Sequence, residues 1–290
     1  MKSLTLLTFL LFTLFSSAKV KIASLSPLIS DLANQIGGDK VIVIDLIGKN
    51  GNPHTFNPTT KTLTKASGAH LYLASGKDLE PYLPKLKSLV GQAKVVELGR
   101  SIRSIHIKGG SKTYACCPNH SSGVMDPHWW HSIENWRRAS TTLAAELAKI
   151  DPANKDYYNQ RSKAYRDKLH TLKSWAKKEL STVPKANRQL VTAHAAFGYF
   201  CKEFGFQSIP LRGLNSEQSV TPQYLQEAVG IIITKKVKAI FPDESSNPSA
   251  LKSAAKATGI PLADKLYADS HTSIEQMFRH NVKTITKALK

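Results

Sequence analysis

Short β-branched runs alternate with helical stretches on both sides of one long amphipathic helix, and that order confines the chain to a two-part α/β architecture. On the N-terminal side, residues 20–23 read as a strand. Leu28, Ile29, Leu32, Ala33 and Ile36 then recur at helical spacing until Gly37 and Gly38 stop the helix. Residues 41–44, Val-Ile-Val-Ile, predict a fully apolar strand of the kind buried on both faces of a parallel sheet. Asn57 and Pro58 offer a cap and a first turn for the next helix. Strands at 70–74 and 94–98 enclose a helix at 79–90. Residues 101–127, with Gly109-Gly110, Cys116-Cys117-Pro118 and Gly123, break the rhythm and read as an irregular surface loop.

After Pro152 the apolar positions Tyr158, Tyr165, Leu169, Leu172, Ala176 and Leu180 form one stripe, which spans about 40 Å at about 1.5 Å per residue. Pro184 ends it. Beyond it, strands at 189–192, 208–211 and 237–241 alternate with helices at 196–204, 222–234, 248–258 and 272–289. The chain therefore divides into a leader at 1–18, an N-terminal α/β lobe at 19–153, a linker helix at 154–183 and a C-terminal α/β lobe at 184–290.

The leader has the order of a secretory signal: Met1-Lys2-Ser3, an apolar run from Leu4 to Phe15, then Ser16-Ser17-Ala18 as a small-residue cleavage site. The run is about 12 residues long where a membrane-spanning helix needs about 20, so stable insertion is not expected. No cysteine closes the run, which predicts a soluble periplasmic product rather than a lipoprotein. Lys and Arg number 40 against 21 Asp and Glu, a formal charge of +19. Those cations are spread along helices of an exported chain, which argues for a solvated basic surface and against a nucleic-acid partner. Of the three cysteines, Cys116 and Cys117 are adjacent and Cys201 is distant. One disulfide at most can form, and its pairing is open.

Two histidines occupy equivalent places in the two lobes. His54 lies in a loop past the strand at 41–44, and His194 follows the strand at 189–192, both at the carboxyl ends where open α/β sheets bind ligands. His128 stands in Asp126-Pro127-His128-Trp129-Trp130-His131, and Asp269 precedes the last helix. Three neutral imidazoles and one carboxylate make a closed four-coordinate shell suited to zinc. His131 and His271 are near enough in sequence to be rival donors, and among ten histidines spacing alone does not choose.

The segments Asn52-Pro53-His54-Thr55-Phe56-Asn57-Pro58, Asp126-Pro127-His128-x-Trp130, His194-Ala195-Ala196-Phe197-Gly198-Tyr199-Phe200, Ile240-Phe241-x-x-Glu244 and Ala268-Asp269-Ser270 resemble, in order and distance, the landmarks of the cluster A-I substrate-binding proteins. Met277-Phe278-Arg279-His280-Asn281-Val282 continues the match, which runs from about Val20 to the C-terminus. Those proteins are the zinc- and manganese-binding components of ABC importers. The resemblance implies two Rossmann-like lobes joined by one long rigid helix, with the metal in the cleft and His54, His128, His194 and Asp269 as its ligands. It also implies a monomer that hands its cargo to a membrane permease. Histidine at the third ligand position, where manganese-selective relatives often carry glutamate, points to zinc, with manganese or iron as other possible cargoes.

The chain departs from the family in three places. His131-Ser132-Ile133 replaces a usual Leu-Asp-Pro, the turn between Tyr267 and Gln276 is shortened, and the 104–124 loop holds only His106, Cys116, Cys117 and His120 in place of a His-rich tract. That loop reads as an ordinary surface loop, and Glu244 as structural or partner-facing. Two other functions compete with the carrier. A secreted zinc-dependent hydrolase would need an open coordination position and a general base, yet no His-Glu-x-x-His occurs and the shell is full. A basic envelope-binding or adhesion module would account for the charge and leave the four ligand-type segments unexplained. The expected role is therefore capture and delivery of a metal without catalysis.

Overall fold

The structure, a computed structural model, describes residues 18–48, 51–107, 124–211, 213–214, 222–244, 247–269 and 271–290. Residues 1–17 of the expected leader, both cysteines at 116 and 117, and most of the expected surface loop lie outside the described residues. Elements follow in the order β1 (Val20–Ser24), α1 (Pro27–Gly37), β2 (Val41–Asp45), α2 (Thr60–Lys65), β3 (Leu71–Ala74), α3 (Leu83–Leu89), β4 (Lys94–Glu97), β5 (His106–Ile107), β6 (Val124–Met125), α4 (Ile133–Ile150) and α5 (Lys155–Ser181). Then come β7 (Gln189–Thr192), α6 (Gly198–Phe204), β8 (Gln207–Pro210), α7 (Pro222–Thr234), β9 (Ile240–Phe241), α8 (Ser249–Thr258) and α9 (Ile274–Leu289).

The first lobe is built on a parallel sheet in the order β2-β1-β3-β4, the second on a parallel sheet in the order β8-β7-β9. Parallel neighbours require crossovers, and the helices that make them cover the sheet faces. The α5 helix joins the lobes. Its stripe, Tyr158, Tyr165, Leu169, Leu172, Ala176 and Leu180, is buried throughout, against α1 and α4 of the first lobe and α9 of the second. One apolar core runs from Ile22 in β1 through Trp136 in α4 and Leu169 in α5 to Phe241 in β9 and Phe278 in α9, so the lobes share a continuous interior. Asp31 of α1 adds a polar tie by accepting the backbone N–H of Ile274 at 2.8 Å, at the amino end of α9. Among the described residues no helix is long and apolar enough to cross a membrane.

Several local expectations are corrected. The Val-Ile-Val-Ile run is not buried on both faces: β2 is an edge strand, and Ile42 is 50% exposed. In that sheet the strand buried at every position is β3, whose neighbours are β1 and β4. Asn57 does not cap a helix. The helix starts at Thr60, because Thr59 accepts the N–H of Thr62 while Thr62 Oγ1 accepts the N–H of Thr59, a reciprocal capping box. The helix expected at 79–90 is shortened to α3. Three successive residues before it, Gly76, Lys77 and Asp78, take left-handed conformations with φ of 77°, 59° and 62°, which ends any helix there. The strand expected at 237–241 is shortened to β9, and the expected loop contains the antiparallel pair β5–β6. An additional helix, α4, packs along α5; its stripe is diluted by Asn135, Ser140 and alanines and so is weak in the sequence.

Candidate metal centre

Each lobe brings its residues to the carboxyl ends of its strands. After β2, Asp45 Oδ1 accepts the N–H groups of Ile47 and Gly48 and turns the chain. His54 then lies in a second turn, where its own N–H donates to Asn52 Oδ1 at 2.9 Å. His194 is two residues past β7. Asp269 follows Leu266, which bridges in parallel to Asp243, two residues beyond β9. His128 precedes a single helical turn that leads into α4, with Trp130 edge-on to its ring at a centroid distance of 5.0 Å.

These four side chains, drawn from separate segments, meet at one point. One ligand-type atom from each of His54, His128, His194 and Asp269 lies within 4.8 Å of every other. His54 Nε2 is 3.1 Å from His128 Nε2 and 3.6 Å from Asp269 Oδ1, and His194 Nε2 is 3.4 Å from Asp269 Oδ2. His128, His194 and Asp269 are buried, and the His54 side chain is 8% exposed. So dense a group of nitrogen and oxygen donors, closed from water, matches what a tetrahedral divalent ion requires.

Two carboxylates behind the cluster orient the rings. Asp126 Oδ1 accepts from His128 Nδ1 at 2.8 Å and from the His128 N–H at 2.9 Å. Asp243 Oδ2 stands 2.7 Å from His194 Nδ1. Each pairing leaves Nε2 facing the centre, the arrangement in which a carboxylate fixes the tautomer and raises the basicity of a ligating imidazole. Glu244 accepts the N–H of both Ala268 and Asp269, which anchors the Asp269 turn and makes Glu244 structural. Ala268 O in turn accepts from Trp130 Nε1 at 2.7 Å and His131 Nε2 at 2.8 Å, tying the turn to the other lobe.

The rival histidines are engaged elsewhere. Burial pushes His131 down to about 4, so it is neutral and serves Ala268 O while its ring lies 4.4 Å from that of Phe197. His271 pairs with Ser273 and packs on Tyr267. Cys201 is a buried free thiol, its pKa pushed up by burial, and is remote from metal chemistry.

The charges at the centre are strongly coupled. Burial drives His128 well below the usual imidazole range, and the neighbouring His54 adds to it. Burial also opposes charge on His194, but Asp269 and Asp243 outweigh it and raise the group to about 10. For Asp269, burial is overcome by His194 and His54, and the carboxyl stays well below its usual range. Asp269 and Asp243 thus favour the protonated form of His194 between them.

Three contributors have no role assigned in the sequence reading. Asp243 acts on His194 from another strand end. Tyr199 Oη accepts the N–H of Ile105 at 3.1 Å and donates toward Asp126 O at 3.3 Å, linking α6 to the His128 segment. Gly198 lies against Asp126: a Cβ there would stand 2.5 Å from Asp126 Oδ2. A Gly198→Ala variant is therefore expected to displace Asp126, loosen His128 and lower metal affinity by about 10- to 100-fold, the range typical of groups behind a metal ligand. Competition titration against a chelator reads the change. Affinity within about twofold of the parent protein would show that Asp126 can move without moving His128.

Two parallel-sheet lobes on one long helix, with a buried three-histidine, one-carboxylate cluster in the cleft, define the class of two-lobed metal-binding proteins. Residues 22–288 match the model of the ZnuA family, described as zinc-uptake complex component A, periplasmic. The chain belongs to that family. It is 30% identical over 284 residues to the manganese-binding lipoprotein MntA of Bacillus subtilis, covering 94% of this chain and 90% of the relative. It is 28% identical over 255 residues to the iron-binding protein YfeA of Yersinia pestis, covering 88% and 79%. The solved periplasmic zinc-binding protein TroA from Treponema pallidum superposes with a TM-score of 0.82 at 24% identity, covering 94% of this chain and 99% of TroA, which is a likeness of fold. The family is a transport component and not an enzyme, so the hydrolase reading falls away.

Proposed function

We propose that this chain is the extracytoplasmic substrate-binding component of a metal ABC importer, with His54, His128, His194 and Asp269 as the ligands of its cargo. The convergence of these four donor atoms within 4.8 Å carries the reading. Lobe limits at 19–153 and 184–290, with residues 154–183 as linker, fit the two sheets and the position of α5. Residues 1–18 serve as the export signal, and the mature chain works as a soluble periplasmic monomer that docks on a permease. Zinc is the proposed cargo. Three imidazoles and a single carboxylate suit it, whereas oxygen-richer sets suit manganese. Relatives named for manganese and iron mark the alternatives.

The deciding experiment is elemental analysis by mass spectrometry of the mature protein after loading with competing zinc, manganese and iron and then dialysis. About one equivalent of zinc is expected. One equivalent of manganese or iron would overturn the cargo and keep the carrier; no retained metal would overturn the carrier itself.

Binding should also release a proton. With His194 raised to about 10, its Nε2 carries a proton at neutral pH that an incoming cation must displace. Apparent affinity is expected to rise about tenfold per pH unit between about pH 6.5 and 8, with about one proton released per metal. Calorimetry in buffers of different ionisation enthalpy counts that proton, and a count of zero at pH 7 would contradict the assignment.

A further inference from the structure

The peptide group that joins Ala268 to Asp269 lies between the lobes, and both of its polar atoms are engaged. Its N–H donates to Glu244 Oε1 at 3.1 Å, within the second lobe. Its carbonyl oxygen, Ala268 O, accepts two ring N–H groups from the first lobe, Trp130 Nε1 at 2.7 Å and His131 Nε2 at 2.8 Å. A carbonyl has two lone pairs, and both are used. Ala268, Trp130 and His131 are buried, so water does not replace a donor that moves away.

Both donors come from the turn that carries His128. The His131 N–H donates to His128 O at 3.2 Å, which closes that turn, and the Trp130 ring stands edge-on to the His128 ring. His128 and Asp269 are thereby tied to one another through a single oxygen. For Asp269 to swing away from His128 its peptide must turn, and turning breaks both bonds in a dry interior.

Of the two donors, His131 is the one that packing does not explain. A carbonyl only accepts, so His131 Nε2 carries the ring proton, and burial pushes the ring down to about 4 and keeps it neutral. Nδ1 is then a bare acceptor, buried with no hydrogen-bond partner among the described residues. Such an atom is unfavourable. A leucine would fill comparable space against Phe197, whose ring lies 4.4 Å from that of His131, and would bury no polar atom. What leucine lacks is the N–H.

We propose that His131 is a positioning residue for Asp269: its Nε2–H holds the peptide that presents the carboxylate, and so sets how slowly the cargo leaves the cleft. This role rests on Asp269 binding the cargo, as proposed above. Without the donor, Ala268 O keeps its bond from Trp130, so the turn stays folded while the carboxylate gains freedom to leave the ion.

Zinc is the probe, because such a donor set binds it more tightly than manganese or iron(II). Zinc-loaded proteins are mixed with an excess of chelator and the transfer is timed. His131→Leu should release zinc at least about tenfold faster than the parent protein, with zinc association within about twofold. The metal-free variant should melt no lower than the parent, since a buried bare nitrogen has been removed. His131→Gln, whose amide N–H reaches as far from the backbone as imidazole Nε2, should restore slow release. In an Asp269→Ala background His131→Leu should cause no further acceleration, the non-additivity of a residue that acts through another. Parent-like release by His131→Leu, or release by His131→Gln as fast as by His131→Leu, would overturn the role and leave the carrier reading standing. Equal acceleration in the Asp269→Ala background, or a lowered melt of metal-free His131→Leu, would make His131 merely structural. A parent protein that holds no zinc would overturn the role together with the carrier.

Discussion

Metal affinity is expected to fall by more than about a hundredfold in a His194→Ala variant, beyond the range for groups that only support a ligand. His194 is the proposed donor from the end of a strand of the second sheet, and its loss would leave three donors where a closed shell needs four. The variant also loses the cation that Asp269 and Asp243 share in the metal-free state. Breaking such a buried pair costs about 3 kcal/mol. The sign of its pH dependence follows from the raised folded-state pKa of about 10. The stabilisation is fully present below the unfolded imidazole value near about 6.5 and is lost as pH rises through about 10. Thermal melts of the metal-free pair should therefore differ most at acidic pH and converge at alkaline pH. A chelator competition that returns parent-like affinity would remove His194 from the shell.

Asp269→Asn should lower affinity by a similar factor, more than about a hundredfold, for a different reason. The substitution keeps the shape of the side chain and the hydrogen bond that its backbone N–H donates to Glu244, so geometry is preserved while the proposed ligand's charge is lost. A dication then meets three neutral rings without a bound anion. Asp269 is also the largest charge holding His194 protonated, ahead of Asp243. In Asp269→Asn the His194 pKa should drop from about 10 toward the usual imidazole range, which nuclear magnetic resonance of the ring protons can follow. An unmoved titration would place the stabilising charge elsewhere. Together the two variants separate the ligand that carries the proton from the ligand that carries the charge.

Much of the architecture was legible because periodicity reports burial. The stripe from Tyr158 to Leu180 is buried along one face of α5, and β7 and α7 begin and end where their apolar runs do. The errors have local physical causes. Ile42 looks like a core residue because β propensity does not distinguish a central strand from an edge one; strand order decides that. Asn57 and Thr59 are both good caps, and the reciprocal bond with Thr62 chose between them.

The four proposed ligands could be named from motifs, because each sits in a short segment whose neighbours are distinctive: Pro53 before His54, Asp126-Pro127 before His128, the aromatic run after His194, Ala268 before Asp269. Spacing could not assemble them, since they lie 74, 66 and 75 positions apart and ten histidines allow many groupings. The supporting carboxylates were harder still. Asp126 shares a motif with the ring it orients, whereas Asp243 is 49 positions from His194 and is paired with it only because β9 runs beside β7. Composition and pattern alone pointed to a basic α/β protein in two parts with histidines at strand ends and raised the expectation of export; the set of four ligands came from the family resemblance. Tertiary structure alone decided that His131 serves a carbonyl, that Glu244 holds a turn and that His194 is charged when metal is absent. Hydrogen-bond choice and protonation depend on which groups lie within a few ångströms, and chain folding sets that proximity, not sequence distance.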